Sequence, residues 1–223
     1  HRLLAAALRV GKRSRSETGL STGAVSVASA AVHLSSKVFS DLSDKRILVV
    51  GAGETAGLAA RHFREVFPAS IHIANRSVDR AAALAAAVGG LALPLDGIPA
   101  ALMDSDVAIC ATRADAPLIT FAMVRMAMKE RERRPLLLLD MSVPRNVEPS
   151  SGMLENVFLH TIESLKTIMD QNLTKRRREV PRVETIVAEE SEHFFQWMRS
   201  LEVTPLIRQL RDRFERIRDE ESA

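Results

Sequence analysis

From residue 21 to about residue 165, short apolar runs alternate with longer Ala-rich stretches whose apolar positions recur every three or four residues. Residues 47–50, 70–74, 91–93, 107–111, 135–140 and 157–160 read as six strands, because such short, nearly unbroken apolar runs suit a strand buried on both faces. Residues 55–66, 78–88 and about 121–131 carry the helical period between them. Strands and helices in this alternation predict an α/β fold, a doubly wound parallel sheet covered on both sides.

The two ends follow other patterns. Residues 1–20 form a basic amphipathic turn or two ending at Gly19, read as the tail of a helix that belongs to an upstream domain. The chain opens on His1 without an initiating Met and closes on Ala223 without a cap signal, so a piece of a longer protein is expected. Beyond residue 166 the strand signal stops. After the basic run Lys175-Arg176-Arg177-Arg178, Val180, Val183, Val187, Phe194, Trp197 and Leu201 keep a 3–4 spacing that skips one slot, at Glu190. Such spacing predicts a long helix packed on another helix. Pro181 is expected to start or kink it, since proline lacks an N–H and crowds the preceding turn. Pro205 is expected to begin a second helix with Leu206, Leu210, Phe214 and Ile217 on one side. The expected domains are therefore 1–20, 21–165 and 166–223.

Composition narrows the class. The 223 residues are 46% hydrophobic and 26% charged, which excludes a disordered chain. The formal charge of +3 permits an acidic partner such as RNA without requiring one. The basic run at 175–178 is read as a solvated helix face balanced by Glu179, Glu184, Glu189 and Glu190. A single cysteine excludes an internal disulfide framework, and the six histidines show no ligand spacing, so no metal site is expected. The longest apolar-rich stretch, residues 81–95, is broken by Gly89, Gly90 and Pro94 and falls short of the ~18–20 residues of a membrane span. A cytoplasmic compartment is the expectation.

Candidate chemistry concentrates after the first two strands. Gly51-Ala52-Gly53-Glu54-Thr55-Ala56, set between a strand and a helix, fits the G-x-G-x-x-G/A dinucleotide fingerprint. Gly51 permits the tight turn, Gly53 lets a pyrophosphate approach the backbone, and Ala56 lets the helix pack close to the sheet. The N–H groups of Glu54, Thr55 and Ala56 then open a helix whose dipole attracts phosphate. Sites that prefer NAD place an acid about 20 residues on. Here that position carries Asn75-Arg76-Ser77: Arg76 suits a 2′-phosphate and an adenine face, and Asn75 and Ser77 can donate hydrogen bonds, so NADPH is the expected cofactor. Cys110 lies inside an apolar strand, where cysteines serve as small hydrophobes, and no catalytic residue is named.

Several motifs then occur in one order. Arg13-Ser14-Arg15-Ser16-Glu17-Thr18-Gly19 and Gly23-Ala24-Val25-Ser26-Val27 precede the glycine loop and Asn75-Arg76-Ser77. Asp140-Met141-Ser142-Val143-Pro144-Arg145 and Glu202-Val203-Thr204-Pro205-Leu206-Ile207 follow. In this the chain resembles the glutamyl-tRNA reductase family over essentially its whole length. The resemblance implies NADPH-dependent reduction of glutamyl-tRNA to glutamate-1-semialdehyde on the five-carbon route to tetrapyrroles. It implies a catalytic domain, a Rossmann NADP-binding domain and a spinal helix leading into a dimerisation domain. It further implies a homodimer, a hand-over of product to glutamate-1-semialdehyde aminomutase, and a plastid stroma location in a photosynthetic eukaryote.

By the same resemblance, residues 51–56 hold the phosphates, residues 75–77 form the 2′-phosphate pocket, and Thr112 lies near the cofactor. The family's nucleophilic cysteine sits in a Thr-Cys-Asn-Arg motif that is absent here, so the chain alone is expected to be inactive. Arg113, where the family tends to a small residue, and Pro181, inside the spinal helix, depart from the pattern. The competing expectations are an NADP-binding scaffold that pairs through its helical tail without chemistry, and a shikimate-dehydrogenase-like oxidoreductase sharing the glycine loop and the Asn-Arg-Ser ending.

Overall fold

The structure, a computed structural model, describes residues 2–21 and 26–221, with the backbone alone for 202–209 and 219–221. The chain divides into two compact units, residues 23–173 and residues 1–22 with 174–223. The motif residues 23–25 and the side chains of 202–207 lie outside the described part.

The first unit is a six-stranded, wholly parallel sheet in the order β3-β2-β1-β4-β5-β6. Its strands are β1 (Arg46–Val50), β2 (Ser70–Ala74), β3 (Leu91–Leu93), β4 (Val107–Cys110), β5 (Leu136–Asp140) and β6 (Val157–Thr161). Alternate residues point to opposite faces. Ile47, Val49, Ile73, Ile109, Leu137 and Leu139 enter one core cluster, whereas Leu48, Val50, Ala108, Cys110, Leu136 and Leu138 enter the other. Both faces are covered, as the unbroken apolar runs require.

One face is covered by α2 (Val27–Phe39), α3 (Glu54–Arg64) and α4 (Val78–Val88), the other by α5 (Ile98–Asp104) and α6 (Phe121–Glu130). The sequence pattern places His33 within a helical stretch without giving bounds for α2, and it does not mark α5. Helix α2 is built of small residues and opens on a capping box of two serines. Ser29 N donates to Ser26 Oγ at 3.1 Å, and Ser26 N donates to Ser29 Oγ at 2.9 Å. Helix α5 is seven residues long with Pro99 in its first turn, too short to display a period.

The carbonyls at the end of α5 are gathered by one cation, the fully buried Arg131. Its Nη1 donates to Leu102 O at 3.0 Å, to Met103 O at 3.2 Å and to Ser105 O, and Nη2 donates to Pro135 O at 2.7 Å. Burial lowers its pKa to about 10, with Arg134 adding to the effect and Asp106 opposing it.

The second unit pairs α1 (Arg2–Glu17) with α7 (Ile162–Glu221). Helix α1 has sixteen residues rather than a turn or two. The contacts run in opposite directions along the two helices. Arg2 lies over the Trp197 ring, Arg13 meets Glu189 and Glu190, and Gly19 N donates to Glu179 at 3.1 Å.

Helix α7 is one element of 60 residues, not broken at Pro181 and not restarted at Pro205. Each proline forfeits one helical hydrogen bond, and the bonds on either side carry the helix through. The inward face also differs from the expected seam. Ile186 and Glu190 are 4% and 5% exposed, while Val180 and Val187 are 40% and 42% exposed. The skipped slot is therefore an occupied one, filled by a carboxylate. No helix among the described residues is long and apolar enough to cross a membrane.

Candidate dinucleotide cleft

The strand register creates the site. Val50 stands level with Ala74 on one side and Cys110 on the other, and Cys110 stands level with Asp140. Four parallel strands thus end in one row, and the residues that follow them open a cleft of ≈ 610 Å³ at the point where the strand order reverses.

Gly51 makes the row possible. Its φ of +119° lies in the region that side chains avoid, and a Cβ there would stand 2.4 Å from Ala111 O. Its N–H donates to Ala74 O at 2.7 Å, tying the end of β1 to β2. Gly53 is different, because nothing lies within 4 Å of its absent Cβ. It stands at the start of α3 and caps it with no side chain. The first N–H returned to this turn is that of Gly57, on Gly53 O at 2.9 Å, so the preceding N–H groups of α3 are left for an acceptor outside the helix. Gly51, Ala52, Gly53, Glu54 and Thr55 all line the cleft. Ala56 lies behind it, fully buried against the core with Ala59 and Ala60, where only a small side chain lets α3 sit close to the sheet.

At the end of β2, Asn75 and Arg76 line the cleft and Ser77 does not. Ser77 is the cap of α4, its Oγ accepting from Arg80 N at 3.4 Å. Asn75 Nδ2 donates to Ser77 O at 3.1 Å and holds the turn. Arg80, one helical turn beyond Arg76, joins it in the lining. Among the described residues, neither arginine has a carboxylate within ion-pair distance. The sequence held a signal for Arg80 in its place in the first turn of the helix that Ser77 caps, directly after Arg76.

The opposite end of the cleft comes from the loops after β4 and β5, with Ala111, Thr112, Arg113, Ala114 and Leu118 from one and Met141 and Val143 from the other. These loops are stitched together by buried polar groups. The Asp140 carboxylate accepts from Ser142 N at 3.1 Å and from Asn146 N and Val147 N, both at 2.9 Å. Ser142 Oγ accepts from Thr112 N at 3.1 Å. The Thr112 hydroxyl donates to Asn146 Oδ1. Arg113 stands exposed in the wall. Cys110 is fully buried, and burial together with the Asp140 charge pushes its thiol well above the ordinary range, away from thiolate chemistry.

The donor set suits a phosphate-bearing ligand in a definite orientation. Two arginines offer an anion site at the β2 end, a helix N-terminus supplies N–H groups in the middle, and Leu118, Met141 and Val143 give an apolar wall at the other end.

Residues 33–168 match the family model described as shikimate / quinate 5-dehydrogenase, and residues 182–223 match that of the glutamyl-tRNAGlu reductase dimerisation domain. Curated relatives named glutamyl-tRNA reductase, from Thermodesulfovibrio yellowstonii and Shewanella loihica, are each 41% identical over 219 residues. Those alignments take in 98% of this chain and 51% and 53% of the relatives. The chain thus spans about half the length of the curated relatives it matches. The solved glutamyl-tRNA reductase of Methanopyrus kandleri superposes with a TM-score of 0.84 at 39% identity, covering 88% of this chain and 50% of that one. The nucleotide binding domain of the Thermoplasma volcanium enzyme shares the fold, with a TM-score of 0.55 at 23% identity over 70% of this chain and 99% of that one. Through residues 33–168 the chain belongs to the shikimate / quinate 5-dehydrogenase family, and over 98% of its length it is similar to about half of a glutamyl-tRNA reductase.

Proposed function

We propose that this chain is the NADPH-holding part of an enzyme that reduces glutamyl-tRNA to glutamate-1-semialdehyde for tetrapyrrole, and hence porphyrin, synthesis. The observation that carries the cofactor assignment is the end of β2, where Arg76 and Arg80 line the cleft in place of a carboxylate. A carboxylate there would accept from a ribose 2′-hydroxyl, whereas two guanidinium groups suit a 2′-phosphate. Residues 51–55 cradle the pyrophosphate, and the Leu118, Met141 and Val143 wall shields the nicotinamide end from water. When bound, NADPH would supply the hydride that reduces the activated acyl group to an aldehyde, the tRNA hydroxyl having been freed in the preceding acyl transfer.

Acyl transfer belongs, in this reading, to residues outside these 223. The one cysteine, Cys110, is buried under the sheet end and holds its proton. Residues 1–20 are assigned to the tail of the catalytic domain, 21–165 to the NADPH domain, and 166–223 to the spinal helix and the start of the dimerisation domain. Leu210, Phe214 and Ile217, exposed in the single chain, give a homodimer its apolar contact. The product aldehyde is taken up by an aminomutase, in the cytoplasm or in a plastid stroma.

Parallel fluorescence titrations with NADPH and NADH test the assignment. Preference for NADPH by about tenfold or more, ~1.4 kcal/mol, is expected, and it should collapse in Arg76→Ala. Equal affinities in the parent chain would remove Arg76 from the site and return the NAD-linked readings.

A further inference from the structure

We propose that Asn146 is a positioning residue for the β4–β5 half of the cleft, and that it acts through Thr112, whose hydroxyl it turns away from any ligand. The inference rests on the reading of the cleft as a dinucleotide site and assigns a division of labour within it.

Asn146 is fully buried, and every polar atom it has is spent on the two loops. Its N–H donates to Asp140 Oδ2 at 2.9 Å, and its carbonyl accepts from Leu118 N at 2.8 Å and Ile119 N at 3.0 Å. In the side chain, Nδ2 donates to Ala114 O at 2.8 Å and Ala116 O at 3.4 Å. Two carbonyls on that side fix the orientation of the amide, so Oδ1 is the atom that faces Thr112. The Thr112 hydroxyl therefore spends its single proton on Asn146 Oδ1, and its oxygen accepts from Ala114 N at 3.2 Å. What Thr112 presents to the glycine loop is its methyl, since Cγ2 lies 3.1 Å from where a Gly51 Cβ would stand.

Thr112 thus lines the cleft without a proton to offer a ligand. Its hydroxyl works as a strut, with Asn146 as the post. The strut sets residues 111–114 against Met141 and Val143, which is the spacing a flat nicotinamide has to match. The adenosine end, built on Asn75, Arg76 and Arg80, shares none of these bonds.

The test compares the full chain with Thr112→Val, Asn146→Ala and the double variant. Two probes are titrated, NADPH and adenosine 2′,5′-bisphosphate, which occupies the adenosine end alone. Each single change is expected to weaken NADPH by about tenfold and to leave the bisphosphate within about twofold, because only one end of the cleft loses its spacing. The double variant should be no weaker than the weaker single, since one strut is removed either way.

Additive losses, or a loss in Thr112→Val with none in Asn146→Ala, would overturn the proposal in favour of a direct contact from the Thr112 hydroxyl. Equal loss of both probes would also overturn it, by showing damage to the whole domain. If Asn146→Ala does not fold, Asn146→Ser, which keeps a polar group but cannot reach both loops, takes its place in the same comparison. Failure of the parent chain to bind NADPH would end the underlying reading and this one with it, and it is seen before any variant is compared.

Discussion

The guanidinium of Arg13 lies 3.1 Å from Oε1 of Glu190, a carboxylate set into the inward face of α7 where the period of the helix calls for an apolar side chain. Arg9 approaches the other oxygen of Glu190 at 3.6 Å, and Arg13 also pairs with Glu17 and Glu189. The Glu17 bond comes first among the groups that raise the Arg13 pKa, followed by those to Glu189 and Glu190. The α1–α7 pair is thereby registered by charge at one level and by Trp197 under Arg2 at another.

Glu190→Ala is therefore expected to lower the thermal midpoint more than Glu189→Ala, because only the former leaves a buried slot empty. Glu190→Leu should recover part of the loss, because it refills the slot while Arg13 keeps Glu17 and Glu189 as partners. Circular-dichroism melts of the three variants decide it, and equal loss at 189 and 190 would deny the buried pair its role.

The two loop glycines should separate cleanly. Gly51→Ala forces a side chain into a left-handed backbone against Ala111 O, and destabilisation of at least about 2 kcal/mol in urea is expected. Gly53→Ala meets open space and should keep its stability within about 0.5 kcal/mol. Its new methyl stands where the phosphates approach, so NADPH affinity should fall while folding does not.

Arg131→Met removes the cation that gathers the α5 carbonyls and takes one of two arginines from Asp106, whose Oδ1 lies 3.6 Å from Nη2 and 3.6 Å from Arg134. A loss of about 3 kcal/mol in urea unfolding is expected, the scale for breaking a buried pair from one side. Arg131→Lys should restore part of it, because an ammonium keeps the charge but reaches fewer carbonyls.

Acid should weaken the domain before its carboxylates titrate. Burial lowers the pKa of His160 on β6 below the ordinary 6.5. The unfolded chain then binds this proton more readily than the folded one, so the stability this group contributes is present above 6.5 and lost as pH falls through the lowered value. Urea midpoints should decline from pH 7.5 to pH 5.5, and His160→Gln should flatten that decline. An unchanged slope in the variant would assign the dependence elsewhere.

Much of the sheet was legible because each strand carries its own apolar run, and because a parallel sheet hides both faces of that run. Gly51, Gly53 and Arg76 were legible for a related reason, since each acts within a few residues of a strand end. Asn146 was not: its partners Thr112 and Ala114 are more than thirty residues away and meet it only because β4 lies beside β5. Helix α7 misled in the opposite sense. Local rules at Pro181 and Pro205 weigh one missing hydrogen bond heavily, and a 60-residue helix has many others to set against it. Glu190 read as a gap because its countercharge sits on α1, at the other end of the chain.

The pairing of β4 with β1, across the sheet from β2 and β3, also makes the two walls of the cleft unlike in how local their contacts are. The wall carrying Arg76 can form from neighbouring stretches of chain, but the wall carrying Thr112 exists only after residues 51–106 have been looped out and β4 has returned to Val50. Closing such a loop is entropically costly and kinetically slow compared with local pairing. A ligand that touches both walls can recognise only a molecule in which that return is complete. A ligand that spans both walls therefore stabilises only the completed domain, in proportion to the ligand present.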